Sequence, residues 1–259
     1  MKKALRYKNI AALVLSIFAA SLVAAQQDDW RAKNIDQWTK ADIESVLNNS
    51  AWVKRQEVRV RFRGELRAVA GAGNSAETIE ARREVLSGGN APIDFEFTLR
   101  LRSALPIRLA LVRQAQLNAN YDKLNKEERA ALDKKLKGLY ECPACADNYV
   151  LTLSSRSKSY PGADAVFTSL KGAKLAELKR YFYLSNDRGE KRELVHFTPP
   201  KAPGDEAYFF FRRLDEKGQP LFTPNDKELV FRLNTEELNV PTNFTIDVSK
   251  LLVNGQVIF

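Results

Sequence analysis

The chain has few of the residues on which metal and thiol chemistry depend. Its 259 residues include one histidine, two cysteines and one methionine. A single histidine excludes His-rich metal sites and catalytic schemes that need two imidazoles. Two cysteines exclude a scaffold held together by many disulfides. We therefore expect neither a bound metal nor a cofactor.

The usual sequence patterns of enzymes are also missing. The chain contains no Gly-x-Ser-x-Gly turn, no His-Glu-x-x-His helix and no glycine-rich phosphate loop. His196 stands alone in a strand-like segment, where an isolated histidine is more often structural than catalytic. These absences favour a non-enzymatic role, although the carboxylates are numerous enough to supply an acid pair.

Positive charge is in excess, and part of the excess lies at the N-terminus. Lys and Arg number 41 against 32 Asp and Glu, a net charge of +9. Four of the positive charges precede an apolar run over residues 10–25 that ends in small residues. This order predicts a secretory signal peptide over residues 1–25, with an uncleaved anchor as the alternative. We expect an extracytoplasmic protein, periplasmic or secreted.

Removal of the signal peptide leaves residues 26–259 with a net charge of about +5. A charge this modest and dispersed argues against specific binding of nucleic acid. The mature chain has no second long apolar run, so we expect no membrane insertion after the signal is removed.

Alternation of apolar and polar residues predicts a mainly antiparallel sheet. The clearest alternation covers residues 93–102, and residues 57–69 alternate in the same way. Strong turn signals, such as Asn186-Asp187-Arg188-Gly189, separate the later strand-like segments. Those segments are 149–154, 178–184, 193–197, 208–212, 228–233 and 244–248.

Helix signals accompany these strands. Thr39 and Asp42 form a variant capping box before an apolar stripe, which predicts an N-terminal helix. Pro106 opens a second helix, and Asn125 with Glu128 forms a capping box for a third. The fold class is therefore α+β: a sandwich or partly open barrel with an N-terminal helix. A helical hairpin is inserted at about 106–138, within a single domain over 26–259.

The run Cys142-Pro143-Ala144-Cys145 carries the most reactive chemistry in the chain. Its Cys-Pro-x-Cys spacing resembles thioredoxin-superfamily active sites, but here a predicted helix precedes it and a predicted strand follows. A disulfide that pins this turn is the favoured interpretation in an oxidising compartment. A redox pair with Cys142 as nucleophile and Cys145 as resolving thiol, a metal-ligand pair, and free thiols are the alternatives.

Arg59, Arg61 and Arg63 lie on the polar face of one predicted strand. Such a row is a candidate site for a phosphate or an anionic glycan. The alternative is a solvated strand face on which Asp94 and Glu96 of a neighbouring strand pair with the arginines.

Aromatic side chains supply two further candidates. Trp30, Trp38 and Trp52 flank the N-terminal helix and are candidates for stacking on a ligand ring, with core packing as the alternative. Residues 181–183 and 208–211 place aromatic rings on both faces of their strands, so one face lines a ligand cavity or is covered by the hairpin.

Two segments carry a family resemblance. Residues 38–52, between Trp38 and Trp52, and the run from Glu141 to Cys145 resemble an uncharacterised family of small secreted proteins from soil bacteria. The resemblance implies secretion and adds no activity. Separately, the terminal Phe259 resembles the assembly signal of outer-membrane barrels, a class that the charged hairpin fits poorly.

We therefore expect a non-enzymatic extracytoplasmic protein that binds a partner protein or a small apolar or anionic ligand. The alternative is an extracytoplasmic thiol-disulfide protein that uses Cys142 and Cys145.

Overall fold

The structure is a computed structural model that describes residues 30–60, 93–233, 243–253 and 256–257. The chain forms two compact units, Met1–Asp42 and Ile43–Phe259. Among the described residues of the first unit are two short 3-10 helices, Trp30–Ala32 and Ile35–Gln37. The predicted signal peptide and Phe259 lie outside the described residues.

Most of the described chain is sheet and helix in alternation. The strands are β1 (Val53–Val60), β2 (Ile93–Leu101), β3 (Asn148–Ser157), β4 (Phe182–Asn186), β5 (Lys191–Thr198), β6 (Ala207–Arg212), β7 (Glu228–Leu233), β8 (Asn243–Asp247), β9 (Leu252–Val253) and β10 (Gln256–Val257). The α-helices are α1 (Lys40–Asn49), α2 (Leu105–Asn118), α3 (Lys126–Glu141), α4 (Pro143–Asp147), α5 (Ala165–Leu170) and α6 (Leu175–Leu178). Two more 3-10 helices are Tyr121–Lys123 and Val248–Leu251.

Eight strands form one antiparallel sheet in the order β1-β2-β3-β6-β5-β4-β7-β8, while β9 and β10 form a separate pair. The edge strands β1 and β8 approach each other, so the large sheet is nearly closed and barrel-shaped. This confirms the predicted α+β class and the partly open barrel.

The inner face of the sheet is filled by apolar side chains, because alternate residues of each strand point inward. In β2 these are the five residues predicted from alternation, and each is buried. Phe231 of β7 lies at the centre of an aromatic group. Its ring centroid is 5.3 Å from that of Phe209, 5.8 Å from Phe211, 6.1 Å from Phe182 and 6.5 Å from Phe244.

The capping signals place the helices as predicted. In the first unit, the Thr39 amide donates to the Asp42 carboxylate at 2.8 Å, and the Asp42 amide donates to the Thr39 hydroxyl at 3.2 Å. At α3, the Glu128 amide donates to the Asn125 side chain at 2.9 Å, and the Asn125 amide donates to the Glu128 carboxylate. Each pair satisfies amides that the first helical turn leaves without intrahelical partners.

The hairpin is longer than predicted. Its helices span Leu105–Asn118 and Lys126–Glu141, so the predicted end near Gly138 is wrong. Gly138 stays helical, and its carbonyl accepts from the Cys142 amide at 3.1 Å. Cys142 itself takes the left-handed conformation, with φ of 46°, that ends α3. The short helix α4, which was not predicted, then separates α3 from β3.

Two short helices between β3 and β4 were also missed. The predicted strand over 178–184 begins only at Phe182, because Leu178 is the buried residue of the single-turn helix α6. Asp164 caps the start of helix α5, and its buried carboxylate accepts from the Phe167 amide, the Ser155 hydroxyl and the Gly204 amide. Helices of one or two turns are too short to show a helical period in the sequence.

We expect Phe231→Ala to lower the free energy of unfolding by about 3–5 kcal/mol, because it removes the ring at the centre of the inner aromatic group. The measurement is urea unfolding followed by circular dichroism. Leu214→Ala is the control, since Leu214 is 51% exposed and its loss should change stability by less than about 0.5 kcal/mol. Similar effects of the two substitutions would contradict the proposed arrangement of the core.

Candidate functional site

Three arginines lie near the turn from β2 into α2, and we call Arg100, Arg102 and Arg108 the arginine cluster. Arg100 lies in β2, Arg102 directly follows that strand, and Arg108 lies in the first turns of α2. Arg102 interacts electrostatically with Arg100 and with Arg108. The turn from β2 into α2 therefore brings three cations of one short segment together.

Arg100 is held by specific contacts. Its Nε donates to the Leu47 carbonyl at 2.8 Å and its Nη2 donates to the Asn48 side chain at 3.0 Å, both at the end of α1. Its Nη1 donates to the Glu206 carboxylate at 2.6 Å. Glu206 therefore balances the charge of Arg100 directly.

Arg102 is only partly compensated. Burial is the main effect and lowers the pKa of its guanidinium, and the charge of Arg100 lowers that pKa further. The Tyr208 hydroxyl, through a hydrogen bond, and the Glu206 carboxylate act in the opposite direction. Its Nη1 is buried and has no hydrogen-bond partner among the described residues.

Arg108 joins the cluster to the end of α3. Its Nη1 donates to the Tyr140 carbonyl and, at 3.3 Å, to the Glu141 carbonyl. A cation at these carbonyls stabilises a helix C-terminus. Burial lowers the pKa of Arg108, and the charge of Arg102 lowers it as well.

Two polar side chains of the neighbouring strands border the cluster. Thr152 of β3 pairs with Arg100 of β2 on one side and with Tyr208 of β6 on the other side. Thr152 is fully buried, and its hydroxyl has no hydrogen-bond partner among the described residues. Burial raises the pKa of the Tyr208 hydroxyl, and the Glu206 carboxylate raises it further, so the phenol stays neutral.

This arrangement provides hydrogen-bond donors and positive charge in a partly desolvated place. Buried polar atoms are normally hydrogen-bonded, and leaving them without partners costs about 1–3 kcal/mol each. The Arg102 guanidinium and the Thr152 hydroxyl are two such groups on one face of the sheet. An anion beside Arg102 would accept from its guanidinium and would offset the repulsion among the arginines.

The predicted anion site on β1 is arranged differently. Arg59 lies opposite Asp94 and forms a two-point ion pair with it, with distances of 2.7 and 3.0 Å. This is the predicted alternative of cross-strand pairing, and it balances the charge of Arg59. Glu96 is likewise paired, with Arg55 and Arg156. Arg61 and Arg63 lie outside the described residues.

The tryptophans predicted as stacking candidates are buried. Trp30 and Trp38, in the first unit, pack edge to face with ring centroids 5.4 Å apart, and the Trp38 indole donates to the Trp30 carbonyl. Trp52, in the second unit, is fully buried. Core packing accounts for these three positions.

Cys142 and Cys145 form a disulfide at the junction of α3 and α4. Cys142 is half-buried and in the left-handed conformation, whereas Cys145 is buried. Arg213 approaches this turn, since its Nη1 is 3.5 Å from the Cys145 carbonyl. The bond connects the last turn of the hairpin to the chain that enters β3.

The remaining features add no second site. A groove of about 440 Å³ runs along the hairpin between Val112, Leu136 and Tyr140. In the described ranges, no group of three or more His, Cys, Asp or Glu side chains could hold a metal ion. None of the described helices is both long enough and apolar enough to cross a membrane.

Sequence reasoning missed the arginine cluster. Arg100 and Arg102 read as the solvated face of a strand, like Arg59. One signal was available in β3. Residues 149–153 are apolar except for Thr152, and the structure buries all five, including Val150 and Thr152 on the outer face. A strand buried on both faces indicates that the outer face beside it is covered, and a charge there is desolvated.

Comparison of the chain with protein-family models, with curated proteins and with solved structures found no match.

We expect Arg102→Met to leave the free energy of unfolding unchanged or to raise it by up to about 2 kcal/mol, because it removes a poorly compensated buried cation. Glu206→Gln should lower stability by about 1–3 kcal/mol, since it leaves Arg100 without its counter-charge. Urea unfolding at pH 7 measures both. A marked loss of stability in the Arg102 variant would show that its charge serves the fold.

Proposed function

We propose that this protein is an extracytoplasmic binding protein for an anionic ligand, which it holds at the arginine cluster. The observation that carries the proposal is the half-buried guanidinium of Arg102, whose Nη1 atom is buried and has no hydrogen-bond partner among the described residues. Two like charges, Arg100 and Arg108, act on the same group. A protein seldom retains such an arrangement for stability, because the burial of a cation beside other cations destabilises the fold.

The chemistry of the cluster fits an anion better than any other ligand. Every arginine donates and none accepts, and the Glu206 carboxylate bonds to Arg100. The guanidinium fork bonds carboxylate and phosphate oxygens in a planar, two-point geometry. Low local dielectric strengthens each of these charge-assisted bonds.

Two features support the extracytoplasmic part of the proposal. The N-terminal residues 1–25 have the charge and apolar pattern of a secretory signal. The disulfide between Cys142 and Cys145 is of a kind that persists in oxidising compartments.

Inorganic phosphate is the probe that tests the binding proposal. We expect it to raise the thermal unfolding midpoint of the wild-type protein by about 2–4 °C for each kcal/mol of binding energy, at constant ionic strength. Arg102→Met should weaken phosphate binding at least about tenfold in calorimetric titration, since it removes a charge-assisted donor.

Arg59→Met is the matched control, because Arg59 has the same chemistry and lies on the same sheet but is paired with Asp94. It should bind phosphate as the wild-type protein does. Equal loss in the two variants would show nonspecific attraction to positive charge. Absence of a phosphate effect on the wild-type protein would overturn the proposal.

A thiol-disulfide function is the second candidate. It is favoured by the different exposure of the two cysteines, since Cys142 is half-buried and Cys145 is buried. In the reduced protein, the Cys142 thiolate would attack a substrate disulfide and form a mixed disulfide. The Cys145 thiolate would then displace the second substrate thiol and restore the bond between the cysteines.

The reduction potential separates the two candidates. We expect a value below about −300 mV, as for structural disulfides, because the bond joins elements of the fold and needs no turnover for anion binding. The measurement is equilibration with a dithiol redox buffer. A more oxidising potential, together with a Cys142 pKa well below the free-thiol value of about 8.5, would establish the redox function instead.

A further inference from the structure

An aromatic strip borders the arginine cluster, and we define it as Tyr208, Phe210 and His196. Tyr208 and Phe210 are alternate residues of β6, so both point to the outer face, about 7 Å apart along the strand. Both are half-buried, and His196 is exposed. In the register of the sheet, Thr152 of β3 stands between Arg100 and Tyr208, which places the strip beside the cluster.

An irregularity in β5 brings His196 to this face. Leu194 pairs with Phe211 and Phe197 pairs with Phe209, and all four of these side chains are buried. The register shifts between Leu194 and His196, so that His196 lies opposite Phe210. Strict alternation would have placed His196 on the inner face with Leu194. Bulges of this kind redirect side chains, often beside functional sites.

The Phe210 and His196 rings of the strip form a surface on which a flat ligand can pack. The His196 and Phe210 ring centroids are 4.9 Å apart, with an angle of 65° between their planes. The Thr198 hydroxyl lies 3.3 Å from the Nε2 atom of His196 and orients the imidazole. Ring edges and faces are thus both presented to the outside of the sheet.

We infer that the ligand is an aromatic anion, a planar ring that carries a carboxylate or a phosphate group. The inference rests on the proposed function: the acid group binds at the arginine cluster, and the ring packs on Phe210 and His196. Aromatic contacts prefer offset or edge-to-face geometry, so the strip selects planar rings over saturated ones. The guanidinium of Arg102 selects the acid group.

Benzoate and cyclohexanecarboxylate test the selection, because they have the same charge and nearly the same size but differ in planarity. We expect benzoate to bind the wild-type protein about threefold to tenfold more tightly, as one favourable aromatic contact would give. Phenyl phosphate and cyclohexyl phosphate form a second pair, and comparison of the two pairs shows which acid group the cluster prefers. Calorimetric titration measures all four.

His196 gives a direct reporter, since it is the only histidine among the 259 residues. The carbon-bound protons of its imidazole therefore give a single set of signals in a proton–carbon correlation spectrum. We expect benzoate to shift these signals through its ring current, and inorganic phosphate to leave them nearly unchanged. This readout needs no variant.

Phe210→Leu should abolish the preference for benzoate over cyclohexanecarboxylate while it retains the binding of inorganic phosphate. Phe167→Leu is the matched control, because Phe167 is a half-buried phenylalanine of α5, outside the aromatic strip, and should keep the preference. Equal binding of both acids, with unmoved His196 signals, would overturn this inference and leave the proposed function intact. Failure of inorganic phosphate to bind would overturn the proposed function itself.

Discussion

Closure of the antiparallel sheet around a packed aromatic interior is the constraint on which the rest of the structure depends. Phe231 and the rings around it fill the space between β4, β6, β7 and β8. Because these positions are occupied by apolar side chains, the alternate residues of the same strands must point outward. The outer face therefore carries nearly all the polar chemistry of the sheet.

The outer face is not uniform. On β1 and the start of β2, cations and carboxylates lie opposite each other and neutralise one another, as Arg59 and Asp94 do. At the far end of β2, the chain turns into α2 and places Arg102 and Arg108 beside Arg100. Burial there weakens the interaction of the cations with water, so the same residue type that is inert on β1 becomes a candidate binding group.

The hairpin and the disulfide support this end of the sheet. Arg108 bonds to the last carbonyls of α3, and Cys142 ends that helix one residue after them. The bond to Cys145 then ties α3 to the short helix that enters β3. The Cys142–Cys145 disulfide therefore lies near Arg108 of the arginine cluster, which bonds to the end of the same helix. A structural role for the disulfide is compatible with the proposed anion site.

Local patterns in the sequence were sufficient for most of the strands and for the starts of the three longest helices. Alternation in residues 93–102 and the capping pairs at Thr39 and Asn125 depend on neighbours a few residues away, so they could be read directly. The end of α3 at Cys142 and the register shift before His196 could not be predicted from the sequence. The left-handed residue and the bulge are imposed by the strands and helices on either side.

The candidate site also depends on contacts between segments that are distant in the sequence. Local alternation does not distinguish Arg102 from Arg59, since both follow it on polar strand faces. The charge, the strand and the face of each arginine are properties of the local sequence. Their partners come from distant segments: Asp94 neutralises Arg59, whereas Arg102 meets Tyr208 and two other arginines under burial. Only the tertiary structure decides this difference, because desolvation and charge pairing depend on groups that lie far apart in the chain.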